Sequence, residues 1–489
     1  MTVVVAGVDS STQSCKVQLY DLSTAKVLAS GSAPHPPVTP PRSEQDPRAW
    51  WQALAAAFRQ ALAAAPPGTE VAAISVAGQC HGLVPLDAAG EVIRPAKLWN
   101  DTTTTPELQR LREQIGDAAF IDRAGSLPTA AFTISKVAWL ARHEPENFAR
   151  LATMLLPHDY ATYRLTGAFA TDRSEASGTA YFDAAANQYL TDFLDVIDPG
   201  RDWEAMVPRV LGPQDVAGEL RPQAAAELGL PAGIPVGAGA GDQHASAVGL
   251  GIQTGDLTIS LGTSGVIFTL TPDPVRDRSG LINGVAAVTE GFLPLACTLN
   301  AAKVTDTFAR LLGVDHAELT RLALDAVGPE GPVLVAYLDG ERTPNRPDAR
   351  GLVVDLTTEA TREQLARAAY EGVVFGLSYG VQRLDECGVA TSGDAFAVGG
   401  GARSKAYTQF LADSLQRPIR VADVDEGTAR GAAIQAAAIA TGRTVAEVMA
   451  DWRPANTVVA EPREFPAERW ERYRSAAAVT ALDRATDGA

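Results

Sequence analysis

Cysteine is scarce: Cys15, Cys80, Cys297 and Cys387 are the four in 489 residues, and none stands in a CxxC pair or a Cys/His cluster. That spacing points to neither a disulfide framework nor a zinc module, and the four read as reduced thiols. Long apolar runs are also missing. Nothing approaches the ~18 residues of a membrane span, and the opening MTVVVAGVDS has no basic stretch and reaches Asp9 early, which argues against a secretory leader. The cytosol is the expected compartment. Positive charge is in deficit, with 41 Lys and Arg against 58 Asp and Glu and a formal charge of -17. Such a surface repels phosphate backbones and anionic lipid, so neither nucleic acid nor membrane is an expected partner. An anionic ligand needs local help from helix N-termini, a metal ion or a few placed cations. With 46% hydrophobic and 20% charged residues, disordered, collagenous and coiled-coil classes are excluded and a folded protein is expected.

What is present is a repeated design. The β-branched run Val3 to Val8 leads into GVDSSTQS and then the alternating Lys16 to Tyr20, which reads as a hairpin with a small-residue turn. Asp256 to Leu261, the turn Gly262-Thr263-Ser264-Gly265 and Val266 to Leu270 repeat it half a chain later. A unit recurring at that distance predicts two similar domains rather than a solenoid, here 1–247 and 248–445, with 446–489 as a helical tail packing back on the body. Strands alternate with helices elsewhere, which is an α/β scheme. Asp46-Pro47 caps a helix through Trp50 and Phe58, and Thr361 opens a long one to about Cys387 whose Gly372, Gly376 and Gly380 predict close packing on that face.

Chemistry gathers at strand ends. Asp9 closes the first strand, and Asp242 follows the glycine-rich Gly237-Ala238-Gly239-Ala240-Gly241 just before a helix. A strand, a glycine turn and a helix start bring N–H groups and a carboxylate to the rim of a sheet, where open α/β folds bind ligands. An ionised aspartate there can accept a hydroxyl proton, and another can hold Mg²⁺; a turn or cap role is the bland alternative for each. Thr12 with Lys16, Gly262-Thr263-Ser264, and Gly400-Gly401-Ala402 ahead of the helix from Lys405 are three turns able to approach phosphates or adenosine, although no P-loop pattern occurs. His81 lies in a loop between strands and Trp99 ends another, so a polyol contact and plain packing are both open for them.

At these motifs the chain resembles the FGGY family of carbohydrate kinases. The matching pieces run in order from Val3 to Gly442: GVDSSTQSCKV, SEQDPRAWW, GQCHGLVPLD, RPAKLWND, LPHDY, GAGAGDQHASAVGLG, ISLGTSGVIF, YLDGERTPNRPDARG, VGGGARSKAYTQFLAD and DEGTARGAAIQAA. The resemblance implies two ribonuclease-H-like, actin-like ATPase domains with the nucleotide and sugar in the cleft between them. It implies ATP and Mg²⁺ as donor and cofactor, a small sugar as partner and, as is common in the family, a homodimer. By the same resemblance Asp242 is the catalytic base, Asp9 the carboxylate that positions metal and phosphates, and Asp9 with Asp242 the metal side. Thr12 and Lys16 face the transferring phosphate, Gly262, Thr263 and Ser264 the nucleotide phosphates, and Gly400, Gly401 and Ala402 the adenosine. Gln79, Cys80, His81, Trp99, Asp101 and Gln243 fall in the sugar-side segments. The expected reaction is phosphorylation of a ketopentose, D-xylulose ahead of D-ribulose, L-ribulose or glycerol, with an actin-like ATPase that lacks a sugar acceptor as the alternative behind them. Three positions depart from the family pattern: Ser11 replaces a usual glycine, Cys80 a frequent methionine, and Gln243, followed by His244, a frequent asparagine.

Overall fold

The computed structural model describes residues 2–479; the last ten residues of the expected tail lie outside them. Two mixed sheets organise the chain. In the first, the strand order is Val27–Pro34, Ser14–Asp21, Thr2–Ser10, Thr69–Gly78, Pro235–Gly237, Val216–Glu219. In the second it is Leu295–Thr298, Gly265–Thr269, Leu257–Leu261, Ala395–Val398, Ile419–Ala422, Asn456–Ala460. Read across either sheet, neighbours pair antiparallel, antiparallel, parallel, parallel, antiparallel. The repeat seen in two hairpins is therefore a repeat of whole sheets.

Local physics accounts for the elements. The central strand Thr2–Ser10 is buried from Val4 onward, as an apolar β-branched run covered on both faces must be. Asp46 accepts from the backbone N–H of Arg48 and Pro47 starts the helix Pro47–Ala64, whose Trp51, Leu54 and Phe58 fill the core on one face of the sheet. Thr361 and Gln364 form a capping box on Arg362–Glu386. On that helix a Cβ at Gly372 would lie 2.6 Å from the carbonyl oxygen of Leu334, so close packing is the reason for glycine there. Part of the tail does more than pack as helices, since Asn456–Ala460 forms the edge strand of the second sheet while Val445–Asp451 and Ala467–Val479 are helical. No helix among the described residues is long and apolar enough to cross a membrane.

The element that ties the halves together is Gly427–Thr441. It follows the second sheet in sequence, yet lies against Thr2–Ser10, Thr69–Gly78 and the helix Asp242–Leu250 of the first half. Its buried residues are almost all alanine and glycine, which makes it thin enough for backbone to meet backbone. A Cβ on Gly7 would fall 2.0 Å from the Ala429 oxygen, one on Gly249 2.0 Å from the Gly427 oxygen, and one on Gly431 1.8 Å from the Ala245 oxygen. Gln435 adds polar pins, accepting from the Ser75 hydroxyl (3.2 Å) and donating to the Gly239 carbonyl (3.1 Å).

Gly431→Ala therefore forces two helix backbones apart. We expect a loss of about 3 kcal/mol or more in urea unfolding, at the upper end of overpacking costs, whereas Gly442→Ala, with open space around it and a left-handed φ of 67°, should cost only about 1 kcal/mol of backbone strain.

Candidate active site

Strand register brings the two aspartates together. Ser10 and Gly241 flank Gly78 from opposite sides in the first sheet, so Asp9 and Asp242 face one another across the end of Thr69–Gly78. Asp9 is buried and accepts from the Ser11 hydroxyl at 2.6 Å, a bond the departure at position 11 makes possible. Burial lifts its carboxyl to about 7, with the like charge of Asp242 pushing the same way and the Ser11 bond and Lys16 opposing. Asp242 is the first residue of Asp242–Leu250 and accepts from the Gln243 N–H (2.7 Å) and the Cys80 thiol (3.3 Å). Burial raises it to about 6, helped by Glu175 and opposed by those hydrogen bonds. A carboxylate poised there is ionised at neutral pH yet basic enough to take a proton.

Asp242 opens into a cavity of about 240 Å³ between the two halves. Cys80, His81, Trp99, Phe132 and Gln243 line it from the first half, and Ser264, Asn283, Cys297, Arg342 and Thr343 from the second. His81 is held hard. Its backbone is left-handed (φ 63°), its N–H donates to Glu175 Oε1 at 2.6 Å, its Nδ1 lies 3.0 Å from the same oxygen, and its ring stacks on Phe132 at 5.2 Å between centroids. Trp99 is fixed by its indole N–H on the Thr12 hydroxyl (3.0 Å), which in turn donates to Gln79 (3.2 Å). The Arg342 guanidinium reaches across the cleft to 5.7 Å from the Trp99 ring.

Glu175 sits behind this wall with no exposed side chain. Burial alone would raise its carboxyl, but His81, His158 and His244 crowd around it and hold it down at about 2. His158 is itself buried, 3.3 Å from Asp172 and 3.4 Å from Asp159. Burial disfavours its charge, yet those two carboxylates raise it to about 9. Its side chain underlies both active-site turns: a Cβ on Gly78 would lie 3.1 Å from its Cβ, and one on Gly239 2.9 Å from its Nδ1. Lys136 is another buried support, donating to the carbonyls of Ala130 (3.0 Å), Ala131 (2.6 Å) and Phe132 (3.2 Å) and so fixing the loop that carries Phe132.

The expected residues divide into three groups. Asp242, Cys80, His81, Trp99, Gln243 and Ser264 line the cavity. Gln79 and Asp101 do not; Gln79 is buried under Thr12, and Asp101 is fully buried, accepting from the Ser43 N–H and from Lys97 and Thr103, so it braces the loop that presents Trp99. On the other side, the Gly262 and Thr263 carbonyls accept from Ala302 and Ala301 at the start of Ala302–Leu312. Gly401 presses on Leu261, where a Cβ would meet the Leu261 Cβ at 2.7 Å, so the turn of Gly400, Gly401 and Ala402 lies beside the Gly262 turn. Gly400 has open space around its Cα. Lys16 is paired with Glu426 at 2.6 Å across the halves. Phe132, Glu175, His158 and Arg342 were not legible, because what each does depends on contacts across long stretches of chain.

Comparison with known proteins gives the family and the fold. Residues 4–249 match the N-terminal domain, and 257–440 the C-terminal domain, of the FGGY family of carbohydrate kinases. A xylulose kinase of Streptomyces rubiginosus is 42% identical over 473 residues, covering 96% of this chain and 95% of the relative. Among solved structures, a xylulose kinase from Bifidobacterium adolescentis superposes with a TM-score of 0.85 at 36% identity, over 97% of this chain and 99% of the other. One from Rhodospirillum rubrum does so with a TM-score of 0.89 at 30% identity, over 98% of each.

Because the folded His158 titrates above its unfolded value of about 6.5, its stabilising contribution is complete below that pH and is lost as pH rises through about 9. Urea unfolding of the wild type at pH 6.5 and 9.5 should show this loss. His158→Gln should be less stable at pH 6.5 and lack that component of the pH dependence.

Proposed function

The chain belongs to the FGGY family of carbohydrate kinases and is a sugar kinase; from that premise we propose that it transfers the γ-phosphoryl group of ATP to D-xylulose, giving D-xylulose 5-phosphate, with Asp242 as general base. The observation that carries this reading is the cavity between the halves, sized for a small polyol and faced by Asp242 and His81 together. Its mixed wall, with Trp99 and Phe132 as apolar faces and His81, Gln243 and Asn283 as polar tips, suits a sugar. The neighbouring Cys80-His81 departs from the Arg-Glu-Thr expected of a glycerol-specific loop, which favours the pentulose.

Asp242 accepts the hydroxyl proton as the sugar oxygen bonds to the γ-phosphorus and the bond to the β-bridging oxygen breaks, releasing ADP. His81 orients the acceptor through the ring nitrogen turned away from Glu175, and Trp99 closes the wall beside it. The glycine turns at Gly262 and Gly400 offer backbone to phosphates and adenosine without side-chain obstruction. Protein work here is positioning and charge stabilisation rather than covalent chemistry.

The donor set near the transferring group fits Mg²⁺: Asp9 and Asp242 are hard carboxylate ligands, and burial, with the like charge of Asp242 adding to it, raises Asp9 in a way that a cation beside it would relieve. When bound, Mg²⁺ would neutralise developing phosphate charge. Asp9 and Asp242 would hold it directly or through water.

The test is product analysis by phosphorus NMR after incubation with D-xylulose and Mg-ATP, where a phosphomonoester at O5 is expected and absence of a sugar phosphate would overturn the reading. Asp242→Asn should lower kcat by roughly 10²- to 10⁴-fold with nucleotide binding by calorimetry retained. In the wild type, log kcat/KM should fall as pH drops below about 6, where Asp242 becomes protonated. His81→Asn, chosen because asparagine tolerates a left-handed backbone, should chiefly raise the sugar KM and leave the KM for ATP alone.

A further inference from the structure

Cys80, one of the three departures from the family pattern, meets His244, the neighbour of another, in space. Cys80 lies in the turn after Thr69–Gly78 and His244 in the first turn of the helix Asp242–Leu250, and the fold brings them together around Glu175, where one ligand atom from each of the three lies within 4.8 Å of the others. The Cα of Gly241 faces this trio: a Cβ there would stand 2.4 Å from Glu175 Oε2, 2.7 Å from His244 Nδ1 and 2.8 Å from Cys80 Sγ. Only glycine leaves the space among the three atoms open. His244 is 2% exposed, and neither of its ring nitrogens has a hydrogen-bond partner; the inward oxygen of Glu175, Oε2, has none either. Buried polar atoms without partners are costly, so Glu175 Oε2 and His244 Nδ1, aimed together into one small space, call for a ligand.

We propose that Cys80, Glu175 and His244 form a binding site for a borderline-soft divalent cation of the zinc class, and that its occupancy restrains the catalytic base. One thiolate, one imidazole and one carboxylate are a donor set that prefers such a cation to Mg²⁺. Ligand atoms about 2.1 Å from a tetrahedral ion stand roughly 3.4 Å apart, so side-chain movements of about an ångström close the trio. The Cys80 thiol must lose its proton to solvent as the sulfur–metal bond forms, so binding releases one proton and weakens in acid. That same proton is the one Cys80 donates to Asp242 Oδ1 at 3.3 Å. Metal binding therefore removes a hydrogen bond from Asp242 and leaves an open fourth position beside its carboxylate.

Co²⁺ is the probe, because a cysteine thiolate on Co²⁺ gives a near-ultraviolet charge-transfer band without any reference to turnover. Titration of the full chain, in EDTA-free buffer with reductant, should give one Co²⁺ per chain with that band. The band should vanish in Cys80→Ser, persist in Cys297→Ser and Cys387→Ser, and require roughly tenfold or more Co²⁺ in His244→Ala; circular dichroism of each variant establishes that it is folded. No band in the wild type, or a band that survives Cys80→Ser, overturns the site. Zn²⁺ added with Mg-ATP and acceptor should inhibit the wild type, reversibly on chelation, and leave the residual activity of Cys80→Ser untouched. Binding without inhibition would keep the site and overturn its hold on Asp242; the Co²⁺ titration contains no sugar, so the binding result stands whichever acceptor the enzyme uses.

Discussion

The arrangement rests on a backbone-to-backbone contact. Helix Gly427–Thr441, from the far end of the chain, lies against Asp242–Leu250 so closely that Gly431 and Gly249 have no room for a methyl group, and its other side meets the central strand at Gly7. Asp242 begins one partner of that helix pair and Asp9 is the penultimate residue of the strand the other partner covers. Close-packed interiors transmit small displacements rather than absorb them, so the separation of the two carboxylates is set by glycines rather than by the carboxylates' own contacts. Thr428 strengthens the link by donating to the Asp242 carbonyl at 3.3 Å. A cleft enzyme also needs its halves to move, and a smooth alanine surface with few interlocking side chains is a suitable seat for small rotations.

Around that frame the chain builds a strongly anionic site in an anionic protein. Asp9 and Asp242 are held where burial makes ionisation costly, which is how a carboxylate acquires a basicity useful near neutral pH. Behind them Glu175 is kept ionised by three histidines, and its charge fixes the His81 backbone and ring together. Cations are few and committed: Lys16 to Glu426, Lys97 to Asp101 and Glu44, Lys136 to three carbonyls. Arg342, on the second half and facing Trp99 on the first, is the cation lining the cavity itself.

Much of this was legible in the residues because short-range rules govern it. Two strand–turn–strand units with glycine or serine turns announced the duplicated sheet, and Asp46-Pro47 and Thr361 announced their helices through capping alone. Asp242 stood out only as one of a pair with Asp9 in a repeated design, since a carboxylate at a helix start is also an ordinary cap, and the resemblance singled it out as the base. Lys16 shows what sequence proximity leaves out: Thr12 nearby suggested a phosphate contact, and a carboxylate 410 residues away also pairs with it. Asp101 was placed on the sugar side by its neighbours, whereas its complete burial lets it act on Trp99 only from behind. Glu175 lies outside every matching motif and His158 inside one, LPHDY, that says nothing of its contacts; the roles of both exist only once separated stretches have folded together.

The central claim is that the cavity beside Asp242 binds an acceptor whose arrival permits phosphoryl transfer. The direct measurement is ADP release from Mg-ATP with D-xylulose, D-ribulose, L-ribulose, L-xylulose, glycerol and no acceptor in parallel. Turnover should depend strongly on the acceptor, with D-xylulose fastest. ADP release at the same rate with no acceptor would contradict a phosphoryl-accepting cavity and leave a nucleotide hydrolase in its place.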